Sequence, residues 1–308
     1  MPNYAVIDVG SNSIRMVVYD VPDDHRNSYS RKNFSSIIND KVIAGLASYV
    51  VDGVFEDAGI NRAISVLKGH AKRARYFKCK RIEAFATAAL RNCKNSQEAK
   101  KRIEEATDIE IHLLSSEDES HLGFIGAASD RVVGNGTLVD IGGGSTELAR
   151  VHNGHDFGNV SLTQGSLSSF SNYVEGVIPT PAEIDLIHAA FHDQLQTLRD
   201  PALYRTPNFF GIGGTIRGIS KLFSLMNSNL ERPKELTHQD LSIILNRCID
   251  EPNEFAHSIL KAAPERIHTL IPGCVILDTL FTEYGASSIS ICKYGVREGY
   301  LIERMLKG

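Results

Sequence analysis

Two short runs place an aspartate just ahead of a turn built from small residues: Asp8 before Gly10, Ser11, Asn12 and Ser13, and Asp140 before Gly142, Gly143, Gly144, Ser145 and Thr146. Small residues let backbone N–H groups approach phosphate oxygens closely, and a carboxylate at the preceding strand end is placed to order water on a bound metal. Three successive glycines cost conformational entropy that a plain turn seldom requires. Glu147 flanks the second loop, but side chains alternate along a strand, so spacing alone does not put it on the loop's face. A third turn, Gly211, Ile212, Gly213, Gly214 and Thr215, precedes a helical pattern through Ile216, Ile219 and Leu222. Free N–H groups at a helix start form an anion site. Each loop alone reads as a turn; together, with two aspartates, they read as phosphate chemistry.

Composition narrows the alternatives. At 308 residues and 42% hydrophobic content the chain exceeds the size at which one core usually stops growing, so two domains are expected. A formal charge of −4 offers no global attraction for a polyanion, which local donors, arginine and metal must hold instead. No apolar run approaches the roughly 20 residues of a membrane helix, and the N-terminus MPNYAVIDVG lacks a signal-peptide pattern; a soluble cytoplasmic protein without membrane partners is expected. The five cysteines are scattered without a CxxC pair, which argues against zinc. His152 and His155 fall in a polar turn and His112 alternates outward on a strand, so histidine chemistry is not expected. The basic segment from Lys68 to Arg81 reads as a solvated helix face, with a polyphosphate track as its functional alternative. Tyr76 and Phe77 are not interleaved with its charges and the chain has no Trp, so no nucleic-acid partner is expected.

The elements that must position these residues follow from periodicity. AVIDVGSNSIRMVVYD from Ala5 and TLVDIGGGSTELARV from Thr137 each read as strand, tight loop and strand, and their repetition points to duplication. Ile60, Ala63, Ile64, Leu67, Ala71 and Ala74 follow helical spacing, while Ile82, Ala84 and Ala86, and then Ile109, Ile111 and Leu113, alternate as strands. Asn95 with Glu98 reads as a capping box for a helix through Ile103, and Thr180, Pro181 and Glu183 open another to about Arg199. The polar stretch from Pro22 to Asn33 reads as a hairpin loop. An α/β architecture with mixed sheets results: domains at 1–125 and 126–295, and an amphipathic C-terminal helix over 296–308 placed to pack back on the first.

The segments AVIDVGSNSIRMVV, ATAALR, LLSSEDESHLGFIG, TLVDIGGGSTEL, GIGGTIRG and YGVREGYL resemble, in this order and over nearly the whole chain, the exopolyphosphatase and guanosine pentaphosphate phosphohydrolase (Ppx/GppA) family. The resemblance implies the duplicated actin-like (ribonuclease H-like) fold, two domains with a cleft between them, in the short form without a further helical domain. It implies that Glu119 is the catalytic glutamate activating water, that Arg91 holds phosphate, and that Asp140 and Glu147, with Asp8, are the magnesium-associated carboxylates. Manganese or calcium are substitutes. Taken alone, Glu117, Asp118 and Glu119 read as acids complementing a helix dipole, and Arg91 as a surface charge.

The implied activity is hydrolysis of terminal phosphoanhydride bonds, with inorganic polyphosphate as leading substrate and guanosine pentaphosphate as alternative; homodimerisation is a family-level expectation. Relatives usually read Ser-Gly-x-Glu-Glu-Ala where this chain has Ser115 to Ser120, and carry an arginine missing near Lys41. Those departures motivate a different reading, a non-catalytic nucleotide- or polyphosphate-sensing regulator.

Overall fold

A computed structural model describes residues 2–22, 34–228 and 231–307, so the loop read over Pro22 to Asn33 lies, beyond Pro22, outside the described residues. The chain divides into two compact units, Met1–Asp130 with Val296–Gly308, and Arg131–Gly295.

In the first unit β1 (Asn3–Val9) and β2 (Ser13–Asp20) form the hairpin around the first loop, and β3 (Ser35–Ile43) extends it antiparallel. A ribbon of β4 (Val50–Val51) and β5 (Val54–Phe55) leads into α1 (Asp57–Tyr76). β6 (Cys79–Ala86) lies parallel to β1, α2 (Ala88–Arg91) and α3 (Ser96–Thr107) follow, β7 (Ile111–Leu113) lies parallel to β6, and α4 (Ser116–Asp130) closes the run. Strand order is β3-β2-β1-β6-β7. Ala5, Val6 and Ile7 are consecutive and all fully buried, because a strand covered on both faces is apolar throughout rather than alternating. The apolar stripe of α1, including Ile60, Ala63, Leu67, Ala71 and Ala74, is buried as its spacing requires.

One local expectation is overturned. Asn95 precedes α3, but its side chain makes no cap bond. Its Oδ1 accepts from Phe55 N and its Nδ2 donates to Phe55 O, each at 2.9 Å, so the amide extends the β5 edge instead. A side-chain amide matches both groups of a peptide, and this tertiary pairing outcompetes the one-bond cap.

The second unit repeats the plan. β8 (Gly136–Ile141), β9 (Thr146–His152) and β10 (His155–Leu162) form the antiparallel part. α5 (Ser166–Tyr173) and α6 (Pro181–Gln196) lead to β11 (Asn208–Ile212), parallel to β8, and α7 (Gly213–Met226). β12 (Glu235–Thr237), α8 (His238–Asp250), α9 (Pro252–Ala262), α10 (Leu270–Tyr284) and β13 (Ser288–Ile291) complete the order β10-β9-β8-β11-β13-β12. Thr180 and Glu183 form their reciprocal capping box at α6, the kind of cap that contributes about 1 kcal/mol.

α11 (Val296–Tyr300), continuing as a wider turn over Leu301–Leu306, belongs to the first unit. Tyr19 donates to Glu298 at 2.6 Å and Tyr300 to Glu83 at 2.9 Å, both in buried surroundings. Gly299 has no side chain where the backbone of Leu122 on α4 approaches, so α4 and α11 pack at the distance only glycine allows.

Candidate active site

The two hairpin loops are built alike. Gly10 N donates to Ser13 O at 3.1 Å and Gly142 N to Ser145 O at 2.9 Å. Each loop's carbonyls are then taken up from one side. Ala44 and Gly45 N–H groups bond Asn12 O and Ala47 N bonds Ser11 O; at the start of α5, Ser166 bonds Gly142 O while Leu167 and Ser168 bond Gly143 O. In a planar trans peptide C=O and N–H point opposite ways, so these bonds turn the N–H groups of Asn12, Gly143 and Gly144 to the other side. Gly165 lets this approach happen: a Cβ there would lie 2.6 Å from Ser145 N and 2.7 Å from Gly143 O. A lone glycine ahead of S-x-x-S carried no sequence signal for that role.

Not every small residue of the loops faces outward. Thr146 donates its hydroxyl to Gln164 O and Thr215 to Ile141 O, each at 2.7 Å, and both are buried. These hydroxyl protons fasten the hairpin and the start of α7. Ser11 and Ser145 are also buried, whereas Ser13 is half-buried at the start of β2.

The third turn is tighter than its sequence suggests. Gly213 has φ of 81°, in the left-handed region, and it and Gly214 open α7 with no intervening loop. The place of a Gly213 Cβ is filled by the Asp140 carboxylate, and that of Gly214 by the guanidinium of Arg266. Arg266, from the turn Pro264–Arg266, also donates to Thr215 Oγ1 at 3.4 Å. No pattern in the sequence tied Arg266 to this turn.

Asp140 and Glu147 are direct cross-strand partners, so their side chains share one face of the sheet, which strand alternation left open. Glu147 is buried and accepts from Ser161 Oγ at 2.8 Å. Among the described residues no three His, Cys, Asp or Glu side chains form a metal cage. Magnesium asks for less, one or two carboxylates with water and substrate phosphate, so the Asp140 and Glu147 pair fits it. Asp8 differs: its Oδ2 accepts from Arg297 Nη1 at 2.8 Å.

Arg91 ends α2 and Glu119 lies in the first turn of α4. Arg91 Nη1 donates to Glu119 Oε2 at 2.8 Å and to Leu114 O at 3.2 Å, and Nε donates to Asn92 Oδ1 at 3.1 Å. The two charged side chains are only 15% and 11% exposed. The neighbouring Asp118 is spent otherwise: its N accepts nothing but donates to Ser115 Oγ at 3.0 Å, while its carboxylate accepts from that hydroxyl at 2.8 Å and from Arg304 at 3.1 Å. The helix-dipole reading thus suffices for Asp118, and the buried ion pair distinguishes Glu119.

The histidines read as non-catalytic lie outside these clusters: His152 and His155 are exposed at the β9–β10 turn, and His112 is partly exposed beside Glu83 and Glu110. On the basic segment Arg73 pairs with Asp40 at 2.7 Å.

Two units of one plan, each an antiparallel hairpin joined to parallel strands with a glycine loop at its turn, define a duplicated actin-like α/β protein. The profile of the Ppx/GppA phosphatase family matches residues 17–308, and the chain belongs to that family. A bifunctional 3-dehydroquinate synthase/phosphatase of Fusobacterium nucleatum is 26% identical over 97% of this chain and 46% of its own length. Exopolyphosphatase 1 of Mycobacterium bovis is 31% identical over 47% of this chain and 41% of its own length, so the matched region is less than half of either relative. A crystal structure of an exopolyphosphatase from Cytophaga hutchinsonii shares the fold, with a TM-score of 0.85 at 18% identity, covering 99% of this chain and 98% of that one. Among the described residues no helix is long and apolar enough to cross a membrane.

Proposed function

We propose that the protein is a metal-dependent hydrolase of terminal phosphoanhydride bonds, an exopolyphosphatase releasing orthophosphate from inorganic polyphosphate. The observation that carries this reading is the Arg91–Glu119 pair, a buried carboxylate held by a guanidinium that keeps donors in reserve. Glu119 accepts a proton from the water that attacks the terminal phosphorus in line, and the P–O bond to the rest of the chain breaks. Arg91 positions Glu119 through Nη1 and offers Nη2 to a phosphate oxygen; its planar fork serves both tasks at once.

The N–H groups of Asn12, Gly143, Gly144 and the first turn of α7 bind phosphate oxygens. Asp140 and Glu147 are the residues that would hold magnesium, with manganese or calcium as substitutes. When bound, the ion supplies charge neutralisation at the phosphate oxygens. The name of the mycobacterial relative supports polyphosphate as substrate.

The test is phosphate release from polyphosphate and from guanosine pentaphosphate, after chelation and after magnesium is restored. Magnesium-dependent release from polyphosphate is expected. Release from the pentaphosphate alone would move the substrate assignment, and tight binding of either without turnover would make the protein a sensor.

A further inference from the structure

Asp8 and Asp140 occupy equivalent positions in the two hairpins, yet the strand residues directly opposite them carry opposite charge. Opposite Asp140 across the hairpin stands Glu147; opposite Asp8 stands Arg15. Asp140 lies against the bare backbone of Gly213. Asp8 instead accepts from Arg297 Nη1 at 2.8 Å, in a pair whose side chains are 24% and 16% exposed. Its other oxygen faces Gly10, where a Cβ would lie 3.7 Å from Oδ1. A divalent cation on Asp8 would have to share that carboxylate with a fixed guanidinium, a repulsion that is strong where water is largely excluded.

Arg297 is held in place by its neighbours. The next residue, Glu298, accepts from Tyr19, and Gly299 is locked against Leu122 of α4. Burial works against its charge, but Asp8 and then Glu298 hold its pKa above the ordinary arginine value. Its Nε is buried without a hydrogen-bond partner. A buried charged donor left unpaired is costly, and such a group marks the place of an acceptor that the chain itself does not provide.

We infer that Arg297 is the resident cation of the first hairpin, a positioning residue that takes a metal's place at Asp8 and fixes positive charge beside the Gly10–Ser13 loop for an anionic phosphate. Asp8 is then no metal ligand. The inference rests on the phosphate-binding reading of the loops.

The experiment uses the full chain and two probes that need no turnover: free Mn2+ followed by its electron paramagnetic resonance signal, and inorganic tripolyphosphate followed by calorimetry without metal. Asp8→Asn should leave Mn2+ affinity within about twofold, while Asp140→Asn weakens it roughly tenfold or more, the scale of losing one charged ligand contact. Arg297→Met should weaken tripolyphosphate binding by roughly tenfold or more, and Arg297→Lys should recover part of it. Arg297→Met alone leaves the half-buried Asp8 without that partner, so the double variant Asp8→Asn with Arg297→Met, which removes both charges, guards against a folding defect. It should fold and still bind tripolyphosphate weakly. Mn2+ affinity lost as much in Asp8→Asn as in Asp140→Asn would overturn the inference. So would unimpaired tripolyphosphate binding by the double variant, which would make Arg297 only a structural partner of Asp8. Failure of the unaltered protein to bind tripolyphosphate would overturn the phosphate reading itself and this inference with it.

Discussion

One nitrogen of Arg91 bonds Glu119 at 2.8 Å and the carbonyl of Leu114 at 3.2 Å, tying the end of α2 to the strand end and first turn that carry the carboxylate. The proposed base and the proposed phosphate clamp are therefore one unit, and their substitutions should not be additive.

Glu119→Gln keeps the size and the bond from Arg91 but removes basicity. Phosphate release should fall by roughly a hundredfold or more, the usual scale for losing a general base, with polyphosphate binding retained. Asp118→Asn should leave turnover nearly unchanged, since its carboxylate serves Ser115 and Arg304. Near-normal turnover of folded Glu119→Gln in a steady-state assay would move the base to another carboxylate.

Arg91→Lys retains charge but cannot bond Glu119 and Leu114 through one planar group while offering a second nitrogen to phosphate. Turnover should drop and the KM for polyphosphate should rise. Arg91→Ala removes a charged partner of the buried Glu119 carboxylate, which should lower the urea midpoint. Kinetics of Arg91→Lys matching the unaltered protein would make the fork irrelevant.

Chelation should abolish phosphate release and added magnesium should restore it. Asp140→Asn should raise the magnesium concentration needed for half-maximal activity, because one of two adjacent carboxylates has lost its charge. A magnesium titration that does not move would remove Asp140 from the metal's surroundings.

His70 on α1 is fully buried, with Nδ1 3.2 Å from Asp40 and Nε2 3.4 Å from Ile14 O. Burial is the largest influence and lowers its pKa below 6.5, against the opposing pull of Asp40. The unfolded chain then binds a proton that the folded chain refuses. Its contribution to stability is complete above the ordinary value of 6.5 and is lost as pH falls through the lower folded value. The urea midpoint should therefore decline below about pH 6.5, and His70→Gln should flatten that decline. An equal slope in the variant would assign the titration to other groups.

The paired hairpins were legible in the sequence because a glycine turn after an aspartate-ended strand is specified by residues next to one another. The same holds for the box of Thr180 and Glu183 and for the stripe of α1, whose signals span a few residues. Asn95 marks the limit of such reasoning: its local pattern matched a cap, but the backbone of Phe55, forty residues away, offered it two bonds.

Roles that depend on partners needed the tertiary structure. Glu147 joined the face of Asp140 only once strand register was known, because a shift of one residue would have turned it to the other side. Asp118 and Glu119 are adjacent in sequence and chemically alike; packing sent one to Ser115 and Arg304 and the other to Arg91. Asp8 and Arg297 are 289 residues apart, and YGVREGYL read alone assigned its arginine no task. By itself the sequence determined where the chain turns, which faces are apolar and that a glycine-turn hairpin repeats in two halves, since those follow from short-range sterics and periodicity. The tertiary structure decided which charge meets which, because a carboxylate's partner is set by proximity in space, and that no neighbouring residue encodes.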